Sequence, residues 1–448
     1  MADAKPFHWE YVPEPVVREV FRIEGGQALR GSVPISGAKN AALKMLAAAT
    51  LTGERCRFSN VPEIEDVRVM AETLQDLGVV VDHPAPNVYE VASGDVEWLF
   101  VPLEAAAKMR ASFMLLGPLL ARFGRVIISN PGGDRIGRRP VGLHVDAMRA
   151  LGAEIEYRYG YYYATAPGRL RGTEVRFPFV SVMGTENTML AATLADGHTV
   201  IRPAAQEPEI DDLIVFLQSM GAQVERTYPD TIEVVGQRRL RGAQHHVIPD
   251  RIETGTFVVA AAMTGGRVRL EGAPCEHLGA FLGVLERMGV AVECGEDTID
   301  VDASVVGPGS YRPVDVETAP YPGLATDLQP PTCVLLTQAD GTSRVHEAIF
   351  EDRLERLAEL GRMGATVDIV DDHHASITGP ARLRAAEVEI GDLRAGASLI
   401  LAALAAEGTS TIRGAHHVKR GYENIERKFL DLGARIERLA EEAPAPNS

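Results

Sequence analysis

The chain has 448 residues, of which 46% are hydrophobic and 24% are charged, so it is long enough for two or three globular domains and too apolar for a disordered or low-complexity protein. Its 45 lysines and arginines against 62 aspartates and glutamates leave a formal charge of −17. Duplex DNA and anionic membrane surfaces attract the opposite balance of charge, so the composition disfavours nucleic acid as a partner.

The cysteines and the apolar runs indicate a cytoplasmic protein. Neither a CxxC pair nor a zinc-like spacing occurs among the four cysteines, which are Cys56, Cys275, Cys294 and Cys333. A chain of this length does not need disulfides, so we expect reduced thiols. The first residues lack the pattern of a secretory signal. The longest apolar runs, such as 398–406, reach about half the length of a membrane span, and we expect no membrane insertion.

In chain order, one pattern of predicted elements recurs six times. An apolar helix ends near a glycine, a short strand of alternating residues follows, as at 125–129, and then comes an amphipathic helix, as at 63–77. Another glycine closes that helix, and one or two strands complete the unit. These closing glycines stand roughly 70 residues apart, and they are Gly78, Gly152, Gly221, Gly289, Gly364 and Gly433. Because one unit cannot bury both faces of its sheet, the repeat predicts an α/β protein of two domains with three units each.

The boundary between the two trios of units predicts where the chain crosses between domains. The segment 244–254 separates the third unit from the fourth, and Pro249 marks a plausible crossing point. We therefore place one domain at 39–248 and the other at 19–38 plus 249–439. This division leaves an N-terminal extension over 1–18 and a disordered tail over 440–448. Two lobes joined by two segments should enclose a cleft, which is a preferred place for a ligand.

Six cationic residues stand in contexts unlike a solvated surface. Each is flanked by small or apolar residues or follows a glycine turn, and they are Lys39, Arg110, Arg139, Arg353, Arg394 and Arg420. Any one of them taken alone fits a surface or salt-bridge residue better. Together they come from five of the six units, and several open helices. Helix N-termini and arginine side chains both select phosphate and carboxylate, so the set predicts a small substrate with two anionic groups.

Two aspartates are candidates for proton transfer. Asp134 lies in the glycine-rich loop 130–140, which has the composition of a lid. It is either an acid catalyst that loop closure removes from water or a solvated loop residue. Asp327 follows a Pro-Gly turn and precedes an apolar run, so it is either a helix cap or a general base.

Several of these segments resemble the enolpyruvyl transferases. The similarity runs from about Phe21 to Leu439 with nearly collinear spacing, and it is closest to the members that act on UDP-N-acetylglucosamine. Members that make 5-enolpyruvylshikimate 3-phosphate match less well. The matching segments are SGAKNA at 36–41, PGGDRIGRRP at 131–140, PDRIETGTF at 249–257, TDLQ at 326–329, DLRAGA at 392–397 and RGYE at 420–423. The resemblance implies an inside-out α/β barrel of two domains, each of three βαβαββ units.

The resemblance also implies a reaction. The 3-hydroxyl of UDP-N-acetylglucosamine attacks C2 of phosphoenolpyruvate, and the tetrahedral adduct then loses phosphate, which is the first committed step of peptidoglycan synthesis. Asp327 would take the hydroxyl proton, Asp134 would protonate the methylene carbon, and Lys39 would assist. No metal or other cofactor is implied, and no partner besides the two substrates.

By position, the resemblance assigns the remaining site residues to the two substrates. Phosphoenolpyruvate would be held by Lys39 and Asn40, with Arg110, Arg139 and Arg420 around its phosphate and Arg353 and Arg394 at its carboxylate. UDP-N-acetylglucosamine would contact Arg110, Arg139, Pro140, Val141, Gly142, Leu143, Phe179, Val180, Ser181, Val182, Asp327 and Ile349.

The sequence departs from the family pattern at four positions. Many members carry cysteine in place of Asp134, and a carboxylate cannot be captured by the epoxide fosfomycin as a thiolate is. We therefore expect a fosfomycin-insensitive enzyme. Gly142, Phe179 and Met183 differ from residues common in the presumed nucleotide pocket. These differences leave two alternatives open: an enolpyruvyl transferase for another nucleotide, as in nucleoside-antibiotic pathways, and an inactive nucleotide-binding paralogue.

Overall fold

The computed structural model describes residues 17–442 apart from Asp95, Glu97 and Arg135. Most of the expected extension, up to residue 16, and most of the expected tail, from residue 443, lie outside the described residues.

The described chain alternates short strands with helices throughout. Its strands are β1 (Val17–Glu24), β2 (Arg30–Pro34), β3 (Cys56–Ser59), β4 (Val80–Ala85), β5 (Val88–Ala92), β6 (Phe100–Val101), β7 (Arg125–Ser129), β8 (Glu154–Arg158), β9 (Tyr161–Thr165), β10 (Glu174–Arg176), β11 (His198–Arg202), β12 (Gln223–Tyr228), β13 (Thr231–Val235), β14 (Gln244–His246), β15 (Arg267–Glu271), β16 (Val292–Cys294), β17 (Thr298–Asp302), β18 (Val316–Glu317), β19 (Gly341–His346), β20 (Thr366–Ile369), β21 (His374–Gly379), β22 (Glu387–Glu389), β23 (Thr409–Arg413) and β24 (Arg435–Glu442).

Thirteen α-helices and six shorter 3₁₀ segments connect the described strands. The α-helices are α1 (Lys39–Ala48), α2 (Glu65–Asp76), α3 (Leu103–Lys108), α4 (Leu116–Phe123), α5 (Gly142–Ala150), α6 (Val182–Ala192), α7 (Pro208–Ser219), α8 (Arg251–Met263), α9 (Gly279–Met288), α10 (Gln329–Leu336), α11 (Ala358–Arg362), α12 (Leu393–Ala405) and α13 (Ile425–Asp431). The 3₁₀ segments are Ala49–Leu51, Arg110–Leu115, Cys275–Leu278, Thr326–Leu328, Leu354–Leu357 and Ala415–Arg420.

The strands form six four-stranded sheets of identical pattern. In each sheet the first two strands are parallel and the remaining pairs are antiparallel, as a βαβαββ unit requires. The strand orders are β14-β3-β5-β4, β6-β7-β9-β8, β10-β11-β13-β12, β2-β15-β17-β16, β18-β19-β21-β20 and β22-β23-β1-β24. Alternation sets which side of each sheet is buried: β15 buries Val268 and Leu270 and exposes its three charged residues. The predicted sixfold repeat is thereby confirmed.

The helices occupy the centre of each lobe and the sheets lie outside them. All residues of α8 and α10 are buried, and so is nearly all of α12. Helices this apolar on every side belong in a core. One core cluster is drawn from residues 38–247, and the other from 21–35 together with 252–436. The prediction of an inside-out α/β barrel with two three-unit domains is confirmed.

Two antiparallel segments carry the chain between the lobes. The Ala38 amide donates to the Ile248 carbonyl (2.7 Å), and the Asp250 amide donates to the Ser36 carbonyl (2.8 Å). Gly37 bridges Pro249. A side chain at Gly37 would collide with the Asn60 carbonyl, since a Cβ there would lie 1.7 Å from that oxygen. The crossing thus requires glycine.

The ends of the second lobe differ from the expectation. Strand β1 begins at Val17 and β24 continues to Glu442, with Glu19 paired to Ala440. Residues 17–18 are therefore not part of an extension, and 440–442 are not part of a disordered tail, because the two strands complete each other's hydrogen bonding. The division at 39–248 and at 19–38 plus 249–439 stays a proposal, with the ends of the second domain extended to Val17 and Glu442 by this strand pair.

The expectation of four reduced thiols is wrong for two cysteines. Cys275 and Cys294 form a disulfide with their Cα atoms 6.1 Å apart, while Cys56 and Cys333 are free and buried. The fold brings the pair together because Cys275 follows β15 and Cys294 ends β16, and the Ala273 amide bonds the Asp297 carbonyl (2.8 Å) at the same end of the sheet. Among the described helices, none is long and apolar enough to cross a membrane.

Candidate active site

A cavity of about 280 Å³ lies between the lobes, and residues of both lobes line it. Every residue that was proposed as catalytic or as a phosphoenolpyruvate ligand is among them: Lys39, Asn40, Arg110, Asp134, Arg139, Asp327, Arg353, Arg394 and Arg420. Lys39 and Asn40 form the first turn of α1, directly after a crossing segment. The Asp250 carboxylate accepts from the Lys39 amide (3.2 Å) and also caps α8, which fixes the two helix starts together.

Asp327 lies between two arginines of its own lobe. It belongs to a 3₁₀ turn ahead of α10 and caps neither element, which removes the helix-cap alternative. Arg353 and Arg394 each bond one carboxylate oxygen at 3.0 Å. Burial alone would raise the pKa of Asp327, but Arg394, Arg353 and Lys39 outweigh it and hold that pKa well below its ordinary value. Asp327 is therefore an anion here, with its basicity suppressed by its partners.

Asp134 pairs with a residue of the opposite lobe. The Arg420 guanidinium bonds the carboxylates of both Asp134 and Asp66, and its Nε lies 3.0 Å from Asp66 Oδ1. Asp66 is in turn 3.5 Å from Lys39 Nζ. Burial, and to a smaller extent Arg394, lowers the pKa of Lys39, which Asp66 opposes.

The residues after Asp134 extend this contact between the lobes. The Asp352 amide donates to the Ile136 carbonyl (3.3 Å), and the Arg138 amide donates to the Glu351 carboxylate (3.1 Å). Of the two alternatives for Asp134, the solvated loop residue is excluded, because the side chain lies in the cavity wall and is ion-paired.

Arg110 and Arg139 form a third positive group. The Arg110 guanidinium bonds the Arg139 carbonyl, and the Arg139 guanidinium lies 5.4 Å above the centre of the Phe350 ring. Burial, reinforced by Arg139, lowers the pKa of Arg110 to about 10. Two half-buried cations on the wall of one cavity are the arrangement expected where an anion binds.

The proposed nucleotide residues divide into two sets. Val180, Val182 and Ile349 line the cavity, as do Arg110, Arg139 and Asp327. The residues that do not line it are Pro140, Val141, Gly142, Leu143, Phe179 and Ser181. Phe179 is 59% exposed, and Ser181 instead accepts from the Gly184 amide at the start of α6. The role of both sets in binding the nucleotide stays a proposal.

Sequence reasoning missed six further charged residues that line the cavity. They are Lys44, Asp66, Glu186, Glu207, Glu209 and Arg251. Arg251 pairs with Glu209 at 3.0 Å, and Lys44 lies 3.5 Å from Glu186. One signal was present: Lys44 stands alone among apolar residues in KNAALKMLAA, one helical turn after Asn40.

Comparison with known proteins fits this site. The family model of EPSP synthase (3-phosphoshikimate 1-carboxyvinyltransferase) matches residues 23–429. The chain belongs to this enolpyruvyl transferase family. Two relatives named UDP-N-acetylglucosamine 1-carboxyvinyltransferase come from Gloeobacter violaceus and Azorhizobium caulinodans. The first is 46% identical over 96% of this chain and 93% of its own length, and the second is 45% identical over 94% and 99%.

Solved structures of enolpyruvyl transferases share the fold. NikO from Streptomyces tendae superposes with a TM-score of 0.85 at 26% identity, over 96% of this chain and all of its own. EPSP synthase from Acinetobacter baumannii gives 0.74 at 20% identity, over 94% of this chain and all of its own, and supports the fold alone.

Proposed function

We propose that this protein transfers the enolpyruvyl group of phosphoenolpyruvate to the 3-hydroxyl of UDP-N-acetylglucosamine and releases phosphate. The observation that carries the proposal is that both candidate proton-transfer aspartates, Lys39 and the five arginines proposed as substrate ligands converge from both lobes on a single cavity. The relatives at 43–46% identity, all named for this reaction, support the choice of acceptor.

Phosphoenolpyruvate would exchange places with the enzyme's own carboxylates. Arg353 and Arg394 now hold Asp327, and Arg420 holds Asp134. A substrate carboxylate bound to Arg353 and Arg394 would weaken their bonds to Asp327. The pKa of Asp327 would then rise, and the residue would become a stronger base. A substrate phosphate at Arg420 would release Asp134. Binding of this substrate would thus prepare both acid–base groups.

The proposed reaction then balances as an addition followed by an elimination. Asp327 accepts the proton of the 3-hydroxyl as its oxygen bonds to C2, and Asp134 gives a proton to the methylene carbon. Asp134, which takes up its proton once the substrate phosphate has replaced it at Arg420, next recovers a proton from that carbon while the bond between C2 and the phosphate oxygen breaks, and the proton on Asp327 passes to the released phosphate. The cations around the cavity stabilise the charge that moves between carboxylate and phosphate. The product is the enolpyruvyl ether and inorganic phosphate.

The alternative function is an enolpyruvyl transferase that acts on a different nucleotide, and one structural comparison speaks for it. NikO superposes over nearly the whole chain, and Gly142, Phe179 and Met183 depart from the pattern of the nucleotide pocket. Its 26% identity is well below the 46% of the UDP-N-acetylglucosamine relative, which favours the first proposal. We further propose a cytoplasmic location and a role in peptidoglycan synthesis.

Product analysis tests the proposal. The protein is incubated with phosphoenolpyruvate and, separately, UDP-N-acetylglucosamine, UMP or shikimate 3-phosphate, and products are identified by mass spectrometry. We expect an enolpyruvyl adduct with UDP-N-acetylglucosamine only. An adduct with UMP alone would replace the acceptor, and no adduct with any nucleotide would contradict the proposed activity.

A further inference from the structure

The side of the cavity between α1 and α6 carries a pair of charged residues that the proposed chemistry does not use. Lys39, Asn40 and Lys44 lie on one face of α1, and Lys44 is about 7 Å further along the helix than Lys39. On α6, Glu186 lies one turn after Val182 on the face that lines the cavity. The Lys44–Glu186 pair therefore lies in the wall of the cavity where α1 and α6 meet it.

Glu186 lacks the partners that a buried carboxyl group needs. Its side chain is fully buried, and neither carboxyl oxygen has a hydrogen-bond partner in the described structure. Lys44 Nζ, at 3.5 Å, is too distant for a strong hydrogen bond. Unsatisfied polar groups in a buried position cost stability, so they persist where a ligand supplies the missing partner.

The surrounding charges indicate what kind of ligand group fits. Besides Glu186, the acidic residues Glu207 and Glu209 line this side, balanced by Lys44 and Arg251. One carboxylate oxygen of Glu207 is also buried without a partner. Phosphate and carboxylate carry no hydrogens that these oxygens could accept, and the arginines of the cavity already provide for such anions. A neutral group with hydroxyl or amide hydrogens would satisfy the open oxygens.

We propose that Lys44 and Glu186 form a specificity subsite that binds a neutral hydroxyl- or amide-bearing group of the acceptor. Glu186 hydrogen-bonds donors of that group, and Lys44 donates to one of its oxygens. This inference rests on the proposed function, in which the acceptor is an N-acetylated sugar nucleotide.

The test replaces both partners by apolar side chains of similar size, Lys44→Met with Glu186→Leu, so that no charge is left unpaired. We expect the KM for UDP-N-acetylglucosamine to rise roughly tenfold, while the KM for phosphoenolpyruvate stays within about twofold and the Tm does not fall. The matched control is Thr188→Val, on the same helix. Thr188 is also buried with an unpartnered oxygen, but it does not line the cavity. It should leave both KM values unchanged.

Other outcomes overturn the inference. An unchanged KM for the acceptor, or an equal rise of both KM values together with a lower Tm, would show a structural pair. Should the double variant fail to fold, Glu186→Gln and Glu186→Leu are compared: glutamine should keep the acceptor KM near the wild-type value and leucine should raise it, and equal values would refute the subsite. Wild-type protein that releases no phosphate with UDP-N-acetylglucosamine would instead refute the proposed function itself.

Discussion

Asp327 and Asp134 each neutralise arginines that the proposed reaction assigns to the substrate. Asp327 is bonded by Arg353 and Arg394, and Asp134 by Arg420. Burying a cation without an anionic partner costs free energy, and these carboxylates of the protein reduce that cost when no substrate is bound. The same exchange explains how a carboxylate with a strongly lowered pKa can become a base during turnover.

The first prediction concerns the epoxide fosfomycin. Wild-type protein should show no time-dependent inactivation, because Asp134 is a weak nucleophile and the free thiols Cys56 and Cys333 are buried. Asp134→Cys should gain covalent inactivation, since Arg420 beside that position favours a thiolate. Intact-mass spectrometry should find one adduct per chain in the variant and none in the wild type. An adduct on the wild type would refute the prediction.

The second prediction follows from the buried carboxyl group of Glu186. Burial raises its pKa to about 8; Glu207 and Glu209 add to the rise and Lys44 opposes it. The folded protein thus keeps a proton that the unfolded chain loses above about pH 4.5. The contribution of this group to stability is fully present below that pH and is lost as the pH rises towards 8, by at most about 1.4 kcal/mol per pH unit.

Urea unfolding at several pH values between 5 and 8 measures this contribution. Glutamine at position 186 does not titrate. The free energy of unfolding of Glu186→Gln, relative to that of the wild type, should therefore increase as the pH rises. Parallel curves would mean that Glu186 is ionised throughout this range.

At the scale of elements, the repeated glycines predicted more than any other feature. Gly78, Gly152, Gly221, Gly289, Gly364 and Gly433 all adopt φ between 87° and 94°, each after the second helix of its unit. Glycine reaches this conformation without strain, so a glycine at the same place in every unit predicts the same turn in each. The strand predicted at 125–129 is β7, and the helix predicted over 63–77 is α2 at 65–76.

Other features left little trace in local sequence. The pairing of Asp134 with Arg420 joins residues 286 positions apart, and the disulfide joins two cysteines with no recognisable spacing. Lys44 and Glu186 come from different helices, so only the packing of α1 near α6 reveals them. Local patterns report turns and buried faces, whereas these contacts depend on how units are arranged around the core.

The third prediction tests the contact between the glycine loop and the second lobe. Gly137 has φ of +131°, and a Cβ there would lie 2.9 Å from the Glu351 backbone nitrogen. Gly137→Ala should therefore hold the loop away from that lobe and displace Asp134 from Arg420. We expect kcat to fall roughly tenfold or more, with little change in Tm. In the control Gly283→Ala, on α9, a Cβ meets nothing within 4 Å, and kcat should not change. Full activity in Gly137→Ala would show that seating the loop is not needed.

The fourth prediction concerns the Cys275–Cys294 disulfide. It closes a loop of 19 residues, so reduction should lower the free energy of unfolding by about 3 kcal/mol. Denaturant titrations with and without dithiothreitol measure the difference. The double variant Cys275→Ser with Cys294→Ser should have the same free energy of unfolding in both conditions. Equal stability of the wild type in both would argue that the pair stays reduced, as a cytoplasmic setting favours.

At the scale of the whole molecule, a chain of formal charge −17 encloses a cavity rich in arginine. The two crossing segments hold the lobes side by side, and the residues around Asp134 bridge them on the side of the arginines. Arg110 and Arg139 belong to one lobe, and Arg353 and Arg394 belong to the other. They line one cavity because the six units are divided into two lobes of three. Such a cavity, lined by more cations than anions, focuses its field on small anions despite the negative net charge of the chain.

The most direct test of the account is phosphate release from phosphoenolpyruvate, measured with and without UDP-N-acetylglucosamine, in wild-type protein and in Asp327→Asn. We predict release that requires the sugar nucleotide and falls by about 100-fold or more in the variant, because the asparagine amide cannot accept the hydroxyl proton. Release without the sugar nucleotide, or undiminished release in Asp327→Asn, would contradict the proposed reaction and the role of that aspartate.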